Sequence, residues 1–290
     1  MPRDVYKRQP GGFVIIFTNK NMRLRRRSTL HEIRERDKMG QMLGRIEEYW
    51  TNRAEGYSQV NQEELATEQK NRWLKALEME FPHRDPKDIR VLDIGTGPGF
   101  FAIILAKAGY QVTAVDYTEE MLCKAKENAG RYADRIRWMR MDAQKLELPD
   151  NQFDVAVSRN LTWNLENPDE AYKEWKRVLK PGGQLLNFDA NWYGHLFDAE
   201  KRREYEEDRK HVEEQAMEDH YIGTDIDEME EIARNVPLSP VIRPAWDMKV
   251  LKNLGFQSVR TDEHVWQRVW SDTEKVNYAS TPMFMIKAVK

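Results

Sequence analysis

The stretch Val91-Leu92-Asp93-Ile94-Gly95-Thr96-Gly97-Pro98-Gly99-Phe100 restricts the fold more than any other part of this 290-residue chain. Two apolar residues and an acid run into three glycines at alternate positions, and the apolar segment 100–105 follows at once. This pattern predicts a buried strand, a tight turn and the start of a helix. Glycines let the backbone approach a ligand closely. A helix N-terminus adds unpaired N–H groups that suit a polar or anionic ligand. The turn therefore reads as a cradle for a nucleotide-like cofactor. The G-x-G-x-G spacing misses the dinucleotide fingerprint, whose third glycine would fall where Phe100 stands. A phosphate-binding P-loop needs Gly-Lys-Ser or Gly-Lys-Thr, and the turn holds no lysine. Pro98 stiffens the turn and removes one donor, which fits a ligand less rich in phosphate.

Beyond the turn the pattern alternates as in a doubly wound sheet. Helices are expected at 100–108, 118–132, 169–179 and 246–254. Strands are expected at 111–117, 136–141, 153–158, 183–189, 257–266 and 282–289. Two acids fall at strand ends. Asp116, 21 residues after Gly95, can accept both hydroxyls of a ribose diol. Asp142, followed by Ala143, can accept from an adenine amino group. Tyr117 and Met121 could sandwich the base. An acid after the second strand also serves NAD, so the glycine spacing, not Asp116, discriminates between the cofactors.

Residues 1–38 differ from the rest and read as a disordered or artificial leader. The apolar run 11–17 is too short to span a bilayer, and a basic run at 23–27 follows it instead of a cleavage site. Residues 39–87 read as a helical cap, with Ile46, Tyr49, Trp50 and Arg53 at helical spacing and Tyr57 one turn on. A net charge of −3 gives no field drawing nucleic acid or membrane. The single cysteine, Cys123, excludes an intrachain disulfide and a multi-cysteine metal site. It fits a reducing cytoplasm and reads as a core residue. No metal site is expected.

The glycine turn, the segment Leu148-Pro149-Asp150-Asn151-Gln152-Phe153-Asp154 and the segment Arg177-Val178-Leu179-Lys180-Pro181-Gly182-Gly183 together resemble the class I S-adenosylmethionine-dependent methyltransferases. The likeness covers about residues 88–190 and lies nearest the small-molecule branch that includes the quinone methyltransferases. It implies an α/β, Rossmann-like, seven-stranded, mostly parallel sheet over 88–290, with helices on both faces and one antiparallel strand near the C-terminus. It implies S-adenosylmethionine as methyl donor, with S-adenosylhomocysteine as product, and methyl transfer to an O, N, S or C nucleophile of a small molecule. The cofactor would be held by Asp93, Gly95, Thr96, Gly97, Gly99, Asp116, Tyr117, Met121, Asp142 and Ala143. Tyr49, Arg53 and Tyr57 of the N-terminal segment would close over it, the arginine on the methionine carboxylate. Asn160 would orient the methionine amino group.

Many relatives carry a histidine shortly after strand four. Here Arg159-Asn160-Leu161-Thr162-Trp163-Asn164 stands instead, so no base carries over. The Asn/Asp-Pro-Pro-aromatic motif of nucleic-acid amine methylation is absent, and Cys123 lies too far from strand four for pyrimidine carbon methylation. Arsenite methylation needs more thiols than one. Residues 191–244 interrupt the sheet and read as a helical lid over the cofactor edge, with a highly charged helix expected at about 199–220. They supply His195, His211 and His220 as base candidates, with His195 and Tyr193 as the catalytic candidates. Trp163 and Trp192 would wall the substrate pocket. The partner is then a small molecule and the chain a monomer or homodimer. Two other readings stay open: an S-adenosylmethionine-binding regulator or scaffold without catalysis, and, with less in its favour, an NAD-dependent oxidoreductase.

Overall fold

The computed structural model describes residues 30–220 and 224–290, with 30–41 as backbone only. The chain divides into two compact units, 1–38 and 39–290. Of the expected leader, 1–29 lie outside the described residues, and 30–38 already belong to the first helix. The sheet belongs entirely to the second unit.

Two helices precede the sheet, α1 (Leu30–Ala66) and α2 (Gln69–Glu78). The cap expected at 39–87 is thus two helices joined by a tight turn. The sheet then builds up by alternation of strands and helices: β1 (Arg90–Ile94), α3 (Phe100–Lys107), β2 (Gln111–Asp116), α4 (Glu119–Ala129), β3 (Ile136–Arg140), β4 (Phe153–Arg159), α5 (Pro168–Val178) and β5 (Leu179–Asp189). The lid region contributes α6 (Ala199–Glu214) and α7 (Ile226–Asn235). The chain ends with α8 (Ala245–Asn253), β6 (Ser258–Asp262), α9 (Trp266–Val269), α10 (Asp272–Asn277) and β7 (Phe284–Val289).

Among the described residues the strands form one seven-stranded sheet in the order β3-β2-β1-β4-β5-β7-β6. β7 alone runs antiparallel to its neighbours. The Rossmann-like class expected from sequence is therefore the fold. The strand order reverses between β1 and β4, whose registers align Ile94 with Ser158. Ligands bind in the crevice outside the strand ends at such a switch point. β1 and β4 are buried on both faces, as parallel strands between helix layers must be. One apolar cluster lies on the α2–α3 side around Trp73, Phe100 and Phe188. A second lies on the α5–α8 side around Tyr172, Trp175 and Leu251. A third, smaller one joins α1 to α7 through Ile46, Tyr49, Met229 and Ile232, with Trp163 between them.

Four expectations need correction. The strand expected at 257–266 stops at Asp262, whose carboxylate takes the His264 N–H in an Asx-turn. The chain then makes the short α9, which buries Val269 beside Trp270. β5 starts at Leu179, four residues early, because Leu179 already pairs with Phe153, and the residues from there to Gln184, with Gly182 at a φ of +76°, bulge out opposite Asp154. A Cβ on Gly183 would lie 2.8 Å from the Lys180 carbonyl, so only glycine fits there. The charged helix expected to reach residue 220 ends at Glu214, where Ala216 takes a left-handed φ of 49° and the Met217 N–H returns to the Val212 carbonyl. Cys123 is exposed on α4, not part of the core.

Candidate active site

Two clefts meet at the carboxyl ends of β1 and β4. The first lies over the glycine turn and encloses about 1010 Å³ with its open mouth, room for a nucleoside-sized ligand. Gly95, Gly97 and Gly99 all adopt positive φ. At Gly95 (φ +66°) a Cβ would lie 2.7 Å from the Leu161 side chain, and at Gly97 it would meet the Tyr57 ring. These two glycines keep the cleft floor open. Gly99 does a different job. It does not line the cleft, and it lets the start of α3 pack against Ala125 of α4, where a Cβ would lie 3.0 Å from the Ala125 Cβ.

Two carboxylates hold the turn. Asp93, at 2% exposure, accepts from the Thr96 hydroxyl (2.6 Å) and the Ala102 N–H (3.0 Å) through one oxygen. Burial pushes its pKa up to about 6. Asp116 accepts the Gly97 N–H at 2.8 Å on one oxygen and the Thr118 N–H at 2.9 Å on the other. It lines the cleft, where a carboxylate can accept from a diol. Tyr117, Thr118 and Met121 line the same side. Asp142 and Ala143 line the far end, where Asp142 accepts the Gln144 N–H at 2.8 Å.

Glu166 also lines this end, and its buried Oε1 has no hydrogen-bond partner. Burial and the neighbouring Asp142 push its pKa up to about 7. Arg159, which ends β4, reaches into the cleft, stacks over Phe100 at 4.5 Å and forms a two-pronged ion pair with Glu64 of α1 at 2.6 and 2.9 Å. That pair fastens α1 across the cleft. Sequence reasoning gave Arg159 no role. Its signal was a charge closing an otherwise apolar strand.

The second cleft adjoins the first along Trp50, Tyr57 and Asn160, which line both. Asn160 takes a left-handed φ of 56°. Its buried Oδ1 has no partner. A strained residue with an orphaned acceptor at a junction of clefts marks a contact for a ligand N–H. Tyr49 and Arg53, expected on the cofactor, line the second cleft and not the first. The α1 helix turns them past the glycine turn, and only Tyr57, one turn later, covers Gly97. Trp163, Trp192, Tyr193 and His195 all line the second cleft, as do Tyr205, His220 and Tyr278. Trp163 and Tyr193 pair at 4.8 Å between ring centres.

His195 is 5% exposed and stacks on Tyr205 at 4.1 Å. Its ring faces the Glu230 carboxylate and the Trp192 backbone carbonyl. The nearest acid, Glu230, stands 3.5 Å from Nε2. Burial lowers the His195 pKa below the ordinary value, so the ring is neutral near pH 7. His220, in contrast, has its Nδ1 at 3.0 Å from the Tyr278 hydroxyl, and His211 is exposed on α6.

Behind this cleft lies a buried network that the sequence did not announce. Arg243 pairs with Asp189 at 2.6 Å and doubly with Asp247, all three essentially without exposure. Asp189, ending β5, also takes the Trp163 N–H at 2.9 Å and the Trp192 indole N–H at 3.1 Å. The network therefore fixes two walls of the second cleft.

No group of three or more metal-ligating side chains occurs among the described residues. No described helix is long and apolar enough to cross a membrane.

The fold, the switch-point cleft and the glycine turn with its two strand-end acids define a nucleoside-binding α/β domain. Residues 92–187 match the family model described as a methyltransferase domain. Over this span the chain is similar to methyltransferase domains, those of quinone-biosynthetic methyltransferases among them. It is 32% identical over 141 residues to the candidate methyltransferase YqeM of Bacillus subtilis, covering 47% of this chain and 55% of that protein. It is 38% identical over 101 residues to the ubiquinone/menaquinone biosynthesis C-methyltransferase UbiE of Roseobacter denitrificans, covering 33% and 40%. The matched part thus spans about half the length of these relatives or less. A candidate S-adenosyl-L-methionine-dependent methyltransferase of Methanococcus maripaludis has the same fold, with a TM-score of 0.54 at 20% identity over 83% of this chain and 93% of that one.

Proposed function

We propose that the whole chain is an enzyme that transfers the methyl group of S-adenosylmethionine to a small-molecule acceptor. The observation that carries this reading is the meeting of the two clefts at Asn160, Tyr57 and Trp50. The glycine turn, Asp116 and Asp142 would hold the nucleoside, and Asn160 Oδ1 would accept from the amino group of its methionine part. Tyr49, expected to close over the cofactor, joins Trp163 and Trp192 as a wall of the acceptor side.

The sulfonium supplies an electrophilic methyl group. The chain's own share is alignment and water exclusion, which suit a direct displacement. His195, neutral on the acceptor side, would take the acceptor's proton, and Tyr193 beside it would help to seat the acceptor. Relatives with quinone-biosynthetic names support a flat, small acceptor. The partner is a small molecule, not nucleic acid or membrane, the compartment the cytoplasm and the unit a monomer or homodimer. The proposed layout is a helical cap at 39–87 and a methyltransferase domain at 88–290, with 191–244 as its lid.

Calorimetric titration with S-adenosylmethionine, S-adenosylhomocysteine and NAD tests the cofactor. Binding of the two sulfur nucleosides on the order of micromolar is expected, and a preference for NAD would sink the reading. His195→Asn should lower kcat by about 100-fold or more once an acceptor is in hand while leaving S-adenosylhomocysteine binding unchanged. An unaltered kcat would remove His195 from the reaction, and failure of every acceptor despite cofactor binding would favour the regulator or scaffold reading.

A further inference from the structure

The second cleft has a charge balance that narrows the acceptor further, given the methyltransferase reading. Arg53 lines this cleft and the outer groove beside it. Gly56 makes room for its guanidinium, since a Cβ there would lie 3.0 Å from Nη1. Of the three acids that share the outer groove with Arg53, Glu48 is exposed and does not line the cleft, and the other two are engaged elsewhere. Asp225 caps α7 by accepting the Glu228 N–H at 3.0 Å. Glu228 is gripped at 2.6 and 2.8 Å by Arg45. Arg53 has no hydrogen bond or ion pair to any described residue. Inside the cleft the acid among the described lining residues is Glu230. It already serves Arg234 at 2.9 Å and faces Arg202 at 3.8 Å. The aromatic walls therefore enclose a site with a spare cation and no spare anion.

A positively charged amine would meet aromatic faces that favour it but also an uncompensated guanidinium that repels it. A neutral ring would leave Arg53 without a partner. A ring that carries an anion satisfies both features, because a guanidinium binds a carboxylate with two parallel hydrogen bonds. The neutral His195 ring, which lines the cleft, adds the third element, a proton acceptor for a hydroxyl group.

We propose that the acceptor is a flat aromatic hydroxy acid, its ring between the Trp163–Tyr193 pair and Tyr49, its anionic group on Arg53 and its hydroxyl toward His195. In the transfer the hydroxyl oxygen forms a bond to the methyl carbon while the carbon–sulfur bond breaks. The bonding electron pair stays on sulfur, which becomes a neutral thioether, and the hydroxyl proton passes to a ring nitrogen of His195. The product is a methyl ether that keeps its acid group.

The test uses the full chain saturated with S-adenosylhomocysteine. Calorimetry compares hydroxybenzoates and hydroxynaphthoates with their methyl esters and with the matching aminomethyl phenols. At least one acid should bind about 10- to 100-fold more tightly than its ester and its amine. Arg53→Gln should abolish that preference and leave S-adenosylhomocysteine affinity within about twofold, while Arg53→Lys should restore part of the preference. Esters or amines binding as well as the acids, or no acid binding, would overturn the proposal. So would a loss of S-adenosylhomocysteine affinity in Arg53→Gln, because Arg53 would then serve the cofactor's carboxylate. A wild-type chain that binds no S-adenosylhomocysteine would instead bring down the methyltransferase reading itself, so the two failures are told apart.

Discussion

The two clefts share a wall but are held open by different physics. The cofactor cleft is a backbone object. Its floor is two glycines of positive φ, pinned by the Asp93 and Asp116 carboxylates within one short stretch of chain and the next strand. The acceptor cleft is a side-chain object. Its walls come from α1, the loop after β4, the segment after β5, α6, the residues between α6 and α7, α7 and Tyr278 just after α10, and buried charges hold several of those pieces in place. A local device tolerates change elsewhere and is destroyed by change within it. A dispersed device fails from a distance.

The largest effect should come from breaking the dispersed device. Arg243→Met leaves Asp189 and Asp247 buried without their cation. Loss of one partner of a buried charge cluster costs about 3–5 kcal/mol, which lowers Tm by roughly 6–20 °C in a chain of this size. Trp163 and Trp192 lose the oriented Asp189 carboxylate that receives their N–H groups. Acceptor binding should therefore fall well before S-adenosylhomocysteine binding does. Thermal unfolding and paired titrations below the new Tm check this. Equal losses at both clefts would show that they are not separately supported.

The reverse break is smaller. Gly95→Ala places a Cβ 2.7 Å from Leu161 at a φ of +66°. Strain of that kind costs about 1–3 kcal/mol, so S-adenosylhomocysteine affinity should drop about 10- to 100-fold with acceptor-side geometry intact. Together the two variants form a double dissociation, and it sharpens if Arg243→Met spares the nucleoside while Gly95→Ala spares the acceptor.

The same contrast explains what could be read from the sequence. The glycine turn, Asp116 and Asp142 announce themselves because their spacing is set by one strand-turn-helix unit and two strand ends, and local spacing is visible in a sequence. The sheet was legible for the same reason, through its alternating elements. The acceptor cleft was legible only as a set of aromatic suspects. Nothing in the proline-bounded segment around Arg243 indicates that this arginine returns to the end of β5. Such a pairing depends on topology, not on neighbours in sequence. Arg53 shows the limit within a helix. Helical spacing grouped it correctly with Tyr49 and Tyr57 on one side of α1, but not which of two adjoining clefts each would face. A shift of four residues, about one turn or 6 Å of rise, separates Arg53 at the acceptor side from Tyr57 above Gly97.

A titration distinguishes the clefts more gently. Glu166 sits at the far end of the cofactor cleft with its pKa raised to about 7 by burial and by Asp142. In the unfolded chain it returns to its ordinary value of 4.5. The folded state thus holds the proton more tightly. The stabilising contribution is complete below the ordinary value and is lost as pH rises through about 7. Tm of the protein without ligand should therefore decline across that window, and Glu166→Gln should flatten the decline. A decline of the same slope in the variant would assign it to other groups, with Asp93, raised to about 6, as the first to examine.

The smallest effect should arise where the acceptor cleft is closed from outside. Arg45 of α1 and Glu228 of α7 form a two-pronged pair with side chains 36% and 32% exposed. Pairs at this exposure contribute only about 0.2–1 kcal/mol, and salt weakens them. The apolar cluster of Ile46, Tyr49, Met229 and Ile232 carries most of the α1–α7 contact. Arg45→Ala should therefore change overall stability little. It should speed acceptor dissociation by no more than about fivefold, with no effect on the cofactor side, and added salt should produce the same acceleration in the unaltered protein. Stopped-flow measurement of acceptor release at low and high ionic strength separates the possibilities. If Arg45→Ala accelerates release and abolishes its salt dependence, α1 and α7 form one electrostatically fastened cover. If release is unchanged, the apolar cluster alone closes the cleft, and the dispersed character of the acceptor site rests on packing and on the Arg243 network.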